Sequence, residues 1–404
     1  MNSADTAFIL ISAALVMFMT PGLALFYAGL ARVKNALGTI MHSFFILGLI
    51  SVLWAVLGYS LSFGTDIGGI IGGLNFAFLN DVGAEGNGPV NNIPHLAFMA
   101  FQMMFAVITP ALITGAFAER IKFSAFALFS GLWLILVYSP MAHWVWGGGW
   151  MFKMGALDFA GGAVVHMSSG AAALAAAMVL GPRRGYGQQS FLPHNLPMTL
   201  TGMGILWFGW FGFNAGSALA ANGLAASAFV TTHLATAAAM MGWLIIEKLH
   251  AGHPTTLGAA SGALAGLVAI TPAAGFVTPM ASLGIGFVAG FVCYGGVLLK
   301  GKLKYDDALD VVGIHGVGGT WGALATGLFC TKAVNSAGAD GLFYGNPAQF
   351  GIQAVSVFAT WVFCFGMSWV LFKFVDMIVG LRVTPEDEVR GLDISQHSEN
   401  GYQL

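Results

Sequence analysis

The chain has 404 residues, of which 8% are charged and 57% hydrophobic, with a formal net charge of -2 at pH 7. A soluble domain carries about 25% charged residues, so this composition excludes an ordinary water-soluble fold and points to an integral membrane protein. The near-neutral balance excludes the basic field that nucleic acid would require.

From the N-terminus, the first five residues carry only Asp5 as a charge and lack a Lys/Arg-rich start. The apolar run after them is too long for the core of a secretion signal, so it is expected to remain as a first membrane helix. Stretches able to cross about 30 Å of hydrocarbon fall near 6–31, 38–63, 94–118, 123–143, 159–181, 195–216, 225–248, 256–272, 278–299, 311–330 and 348–379. The expectation is therefore an all-α membrane protein with eleven transmembrane helices, the eighth being the shortest. Pro21 and Pro110 lie inside spans, where neighbouring helices can satisfy the freed backbone groups. Cys293, Cys330 and Cys364 sit in or beside apolar spans without a CxxC and read as small core residues.

Orientation follows from the basic residues. One alternate set of connections holds Arg32, Lys34, Arg120, Lys122, Arg183, Arg184, Lys248, Lys300, Lys302 and Lys304, with Arg382 and Arg390 in the tail; the other set holds Lys153 and Lys332. The positive-inside rule places the first set in the cytoplasm, with the N-terminus outside and the C-terminus inside. The longer outer loops, 64–93 and 333–347, are small and polar and are expected to be solvated loops.

Two segments rhyme. Asp158 precedes an apolar helix that contains His166, and Asp310 precedes one that contains His315; a glycine follows each histidine by four residues, Gly170 and Gly319, one turn on and on the same face. On the expected topology one begins at the outer face and the other at the inner face. Spans 1–5 and 6–10 then form an inverted five-plus-five helix repeat, with an extra C-terminal helix and with sites near the midplane. The repeat halves are expected at about 1–181 and 195–330.

Ionisable groups at such depth usually serve function. His166 and His315 can be an interhelical hydrogen-bonding pair, ligands of metal or haem, or polar groups lining a narrow path. No Cys, Asp or Glu joins them at ligand spacing, so neither a metal nor another cofactor is expected. Asp158 and Asp310 suit helix starts, where a carboxylate accepts backbone N–H bonds. Asp376 reads as structural. The runs His143-Trp144-Val145-Trp146 and Trp207-Phe208-Gly209-Trp210 read by default as interfacial belt or core aromatics. Trp146, Phe105 and Ser217 can nevertheless converge at one mouth, where aromatic faces attract a desolvated cation by about 2 kcal/mol. The polar tail lacks a core, but its Gly-Leu-Arg and Gly-Leu-Asp turns suggest docking on the inner face.

Several segments together closely resemble the ammonium transporter family (Amt/Mep/Rh), on its prokaryotic Amt side. They include PGLALFYAGL at 21–30, AFAERIKFSA at 116–125, HWVWGGGW at 143–150, GALDFAGGAVVH at 155–166, GWFGFNAGSA at 209–218, GIHGVGG at 313–319 and GLDISQHSENGY at 391–402. The resemblance implies a multi-pass protein of the cell membrane, a homotrimer with one pore per subunit, and transport of ammonium, with methylammonium as a further substrate. It assigns ammonium recruitment to Trp146, Phe105 and Ser217 with Asp158 in support, a gate to Phe105 and Phe213, and a twin-histidine pore to His166 and His315. It divides the chain into a transmembrane domain, 1–380, and a cytoplasmic regulatory tail, 381–404, where a PII-type signal protein would act. On this reading ammonium loses its proton near the gate and ammonia passes the histidines, with the proton returning or following separately. A second reading, an ammonium sensor or regulatory scaffold with little flux, stays open. A membrane redox enzyme with haem on His166 and His315 is a third; it would show a Soret band.

Overall fold

A computed structural model describes residues 1–402. Hydrocarbon offers no partner for a free backbone N–H or C=O, so an apolar chain of this kind satisfies them within helices. The long helices are α1 (Ser3–Leu30), α2 (Ala36–Leu53, continuing to Phe63), α3 (His95–Phe117) and α4 (Phe123–Trp133, continuing to Val145). Next come α5 (Ser168–Leu180, entered through a π-turn at Gly162–Met167), α6 (Leu196–Gly216), α7 (Gly223–Ala251) and α8 (Thr256–Ile270). The last are α9 (Pro279–Leu303), α10 (Val317–Phe329, entered through a π-turn at Val312–Gly316) and α11 (Pro347–Val379). Among the described residues nine helices are long and apolar enough to cross a membrane. α8 and the glycine-rich α10 occupy the positions of the eighth and tenth expected spans.

The counterparts of the expected repeat pack on each other, α1 along α6 and the π-turns of α5 and α10 against the opposite helix. The glycines of the rhyming motifs are the crossing point. A Cβ on Gly170 would overlap the Cα of Gly316, and one on Gly319 would lie 3.0 Å from Cβ of His166. Each histidine sits inside a π-turn, a local widening that recurs at functional sites.

The two faces of the helix layer differ. On one, here the tail face, four loops are bound by buried charge. Arg183 grips Asp306 through Nε (2.9 Å) and Nη2 (2.8 Å), and its Nη1 reaches Glu119 at 3.2 Å. Glu119 also accepts from Nε of Arg32 at 2.8 Å, and Nη2 of Arg120 donates to the Asp306 carbonyl at 2.6 Å. Burial opposes charge on Glu119, but the guanidiniums of Arg183 and Arg32 offset it and hold the carboxyl below its usual range; Asp306 behaves likewise against Arg183 and Arg120. The tail is docked on this face as two short helices, α12 (Pro385–Arg390) and α13 (Leu392–His397). Asp393 caps α2 by accepting from the N–H groups of Leu37 (3.0 Å) and Gly38 (2.8 Å), and Lys34 donates to the carbonyls of Glu388 and Val389. Asp376 accepts from the N–H of Leu381 at 2.9 Å, a structural role as expected.

On the opposite face the run 64–93 is more ordered than a solvated loop. It forms an antiparallel hairpin, β1 (Asp66–Ile67) with β2 (Ile71–Gly72), and a turn at Ala77–Leu79. Two-residue strands leave no alternating pattern to read, which is why the sequence does not announce them.

Candidate functional site

A cavity of about 290 Å³ opens beside the hairpin, lined in part by Gln102, Phe105, Trp146, Phe159 and Ser217. Phe105 comes from α3, Trp146 from the turn after α4, and Ser217 caps the end of α6. Ser217 donates its hydroxyl proton to the Phe213 carbonyl at 2.9 Å, so its lone pairs are left for the cavity. The Trp146 indole N–H is spent on the Asp158 carbonyl at 2.9 Å, so the ring offers its face and not its donor. The wall therefore supplies π faces and acceptors, a set suited to a small cation that donates hydrogen bonds.

The Asp158 carboxylate does not line this cavity. It accepts from the N–H groups of Gly161 (2.8 Å), Gly162 (2.6 Å), Ala163 (2.8 Å) and Val164 (3.3 Å), closing the start of the π-turn that carries His166. Its side chain orders the histidine turn while its carbonyl orients Trp146.

Phe105 and Phe213 close the floor. Their centroids are 4.3 Å apart, both rings are buried, and Phe105 meets Trp146 edge-on at 5.8 Å. Beyond them lies a space of about 10 Å³ between Ile108, Val165, His166, Trp210 and Phe213, about the size of one water probe. A third cavity of about 50 Å³, lined by Tyr27, Ser261, Asp310 and His315 among others, follows on the tail side. Leu264 borders both, and the two histidines stand between them.

The histidine rings are 5.3 Å apart at 28°, with Nδ1 of one 3.2 Å from Nδ1 of the other. Two neutral imidazoles can make that contact only if one of the two nitrogens carries a proton. Thr271 identifies it. Its hydroxyl donates to the Leu267 carbonyl (2.7 Å) and accepts from Nε1 of Trp210 (2.9 Å), and Nε2 of His166 lies 3.3 Å away. With its only proton used, Thr271 accepts from His166. Nδ1 of His166 is then bare and accepts from His315, whose Nε2 is left bare.

Three features escaped the sequence reading. Thr271 is one, just past α8, where only its proximity to Pro272 marks it. Trp210 is another: of the belt and core alternatives it takes the core one, stacked on His166 at 5.3 Å and 2% exposed. The third corrects the motif pairing. The carboxylate that caps the His315 turn is Asp307, accepting from the N–H of Val312 at 2.7 Å. Asp310 adopts a positive φ of 64° and pairs with Lys300 at the tail-side mouth. The signal was available, since Asp307 precedes His315 by eight residues, as Asp158 precedes His166.

A profile of the ammonium transporter family matches residues 7–402. An ammonium transporter of Bacillus subtilis is 55% identical over 404 residues, covering 100% of this chain and 99% of that protein. The crystal structure of Saccharomyces cerevisiae Mep2 superposes with a TM-score of 0.90 at 35% identity, covering 96% of this chain and 88% of that one. A structure described as a sensor Amt protein superposes at 0.89 with 30% identity, covering 98% of each chain.

Proposed function

The chain belongs to the ammonium transporter family, and from that premise we propose that it captures ammonium at the hairpin-face cavity and passes ammonia between His166 and His315. It is a multi-pass membrane transporter of ammonium and not an enzyme. The observation that carries the mechanism is the succession of three neighbouring cavities, separated first by Phe105 and Phe213 and then by the histidine pair.

The physical logic is one of desolvation. An unpaired cation in a medium of low dielectric costs on the order of tens of kcal/mol in the Born limit, and the middle cavity is lined without a carboxylate. Ammonium avoids this cost by leaving its proton, an option potassium lacks. Trp146, Phe105 and Ser217 hold the cation, the phenylalanines shut out its hydration shell, and the bare Nε2 of His315 receives an N–H of ammonia. The proton returns to the capture side or crosses separately.

The basic tail face is assigned to the cytoplasm by the positive-inside rule, with the N-terminus outside and residues 381–404 as a regulatory tail. The tail's grip on Lys34, Leu37 and Gly38 suits it to report the state of this face to a PII-type signal protein. Assembly as a homotrimer in the cell membrane, one pore per subunit, follows the family. A sensor with little flux is the less favoured reading, since the relative at 55% identity is named a transporter. Uptake by proteoliposomes separates the two: with residues 381–404 deleted a transporter retains ammonium flux, and a sensor shows none before or after.

A further inference from the structure

Outside the capture cavity, His143 near the end of α4 is clamped between two acceptors. Its Nδ1 lies 3.0 Å from the Ser62 carbonyl and its Nε2 lies 2.9 Å from Oδ1 of Asp66, with the imidazole side chain fully buried. A neutral imidazole has one N–H and one lone pair, so it would set that lone pair against one of these oxygens. Only the imidazolium donates to both.

Asp66 is built to stay charged. Its Oδ1 also accepts from the N–H of Gly69 at 2.8 Å, and Oδ2 accepts from Nζ of Lys153 at 2.5 Å. The His143 bond first, and Lys153 next, bring its carboxyl down to about 2. The charged groups that face the ring are thus Asp66 directly and Lys153 through it.

This clamp sits at the root of Trp146. The His143 carbonyl accepts from the N–H groups of Gly147 (3.0 Å) and Gly149 (2.9 Å), so the turn that carries Trp146 is wound on His143. A Cβ on Gly147 would lie 2.7 Å from Nδ1 of the ring, so the turn and the ring leave no slack. The same turn is tied to the hairpin by Nε1 of Trp144 on the Ile70 carbonyl (2.8 Å) and the N–H of Trp150 on the Gly69 carbonyl (2.9 Å).

We propose that His143 is a positively charged positioning residue, whose imidazolium, held between Asp66 and the Ser62 carbonyl, fixes the turn that presents Trp146 to ammonium. The proposal rests on the reading of Trp146 as part of the capture wall. When the proton leaves, one ring nitrogen sets its lone pair against Asp66 or the Ser62 carbonyl, the clamp on the turn loosens, and ammonium is held less tightly.

The test is proteoliposome uptake, giving half-saturating ammonium and maximal rate at a series of pH values, for the unaltered protein, Asp66→Asn, His143→Gln and Trp146→Leu. Comparison at each pH cancels ammonium speciation. In Asp66→Asn the amide NH2 can donate to a bare Nε2 in exchange for the Gly69 N–H bond, so a contact survives with a neutral ring. Its half-saturation is expected to stay flat where that of the unaltered protein rises. His143→Gln is expected to raise half-saturation about tenfold, the worth of one charge-assisted hydrogen bond, with a smaller effect on maximal rate. Nitrogen-15 spectra of histidine-labelled protein, with His143→Gln for assignment, are expected to show both nitrogens of this ring protonated at neutral pH. A neutral ring in those spectra, or variants at Asp66 and His143 that track the unaltered protein at every pH, overturns the proposal. If Trp146→Leu leaves half-saturation unchanged, the capture reading fails instead, and the spectra still report on the clamp.

Discussion

Asp158 and Asp307 each stand eight residues before one of the paired histidines, and each carboxylate caps the start of the π-turn that carries it, Asp158 through four backbone N–H groups and Asp307 through that of Val312. Loss of one capping bond costs about 1 kcal/mol, and each buried N–H left unpaired costs about 1–3 kcal/mol. Asp158→Ala, which frees four such groups, is expected to lower stability by more than 2 kcal/mol and to abolish uptake, with Asp158→Asn intermediate. Asp307→Ala is expected to impair uptake through His315. Thermal unfolding in detergent and proteoliposome uptake check both; an Asp307→Ala protein that transports normally would show that its capping bond is dispensable.

Thr271 and His166 are coupled through one hydroxyl. Thr271→Val keeps the shape and removes the oxygen that Trp210 and His166 both reach. Burying these unpaired donors costs about 1–3 kcal/mol each, and His166 is then free to reverse its proton. Uptake is expected to fall severalfold, whereas Thr271→Ser retains it. Equal rates in Val and Ser variants would disprove the tautomer assignment.

Phe213 separates the first cavity from the second. Phe213→Ala is expected to cost about 3–5 kcal/mol by the usual penalty for an emptied core site, and to admit water towards His166. Water permeability by stopped-flow light scattering should rise. Unchanged permeability would mean that another residue closes the path.

The tail-face carboxylates give an acid limit. Glu119 and Asp306 titrate lower in the folded protein than in the unfolded chain, where carboxylates titrate near about 4. Their contribution is therefore complete above about pH 4 and is lost as pH falls through the depressed folded values. Glu119→Gln is expected to cost about 3–5 kcal/mol at neutral pH, as for any buried pair broken at one partner, and to flatten the acid branch of melting temperature against pH. A variant that melts with the same acid slope as the unaltered protein would exclude Glu119 from that branch.

Much of this architecture was legible because hydrocarbon imposes few solutions. Length and apolarity announce a helix, and basic loops announce one face. The site was legible where rare residue types stand out against an apolar background, as with His166, His315 and Asp158. Phe105, Trp146 and Ser217 could be expected at one mouth from the residues, while Phe213 and the roles of all four came from resemblance; the fold brings them around one mouth and its floor. Thr271 was missed because a single hydroxyl at a helix end is ordinary; only the fold shows which groups it faces. Trp210 was left between belt and core because sequence gives depth along a helix but not the face it presents. Asp310 was paired with His315 by nearness to the apolar run, whereas the chain turns at Asp310 and the cap comes from three residues earlier.

The most direct measurement is of potassium against ammonium, presented to proteoliposomes in matched concentration jumps while membrane current and a lumenal pH dye are recorded together. A path that carries ammonia past His166 and His315 predicts a signal with ammonium, as current or as a lumenal pH rise, and none with potassium. A potassium current comparable to the ammonium signal would mean that an intact cation crosses, and it would contradict the account.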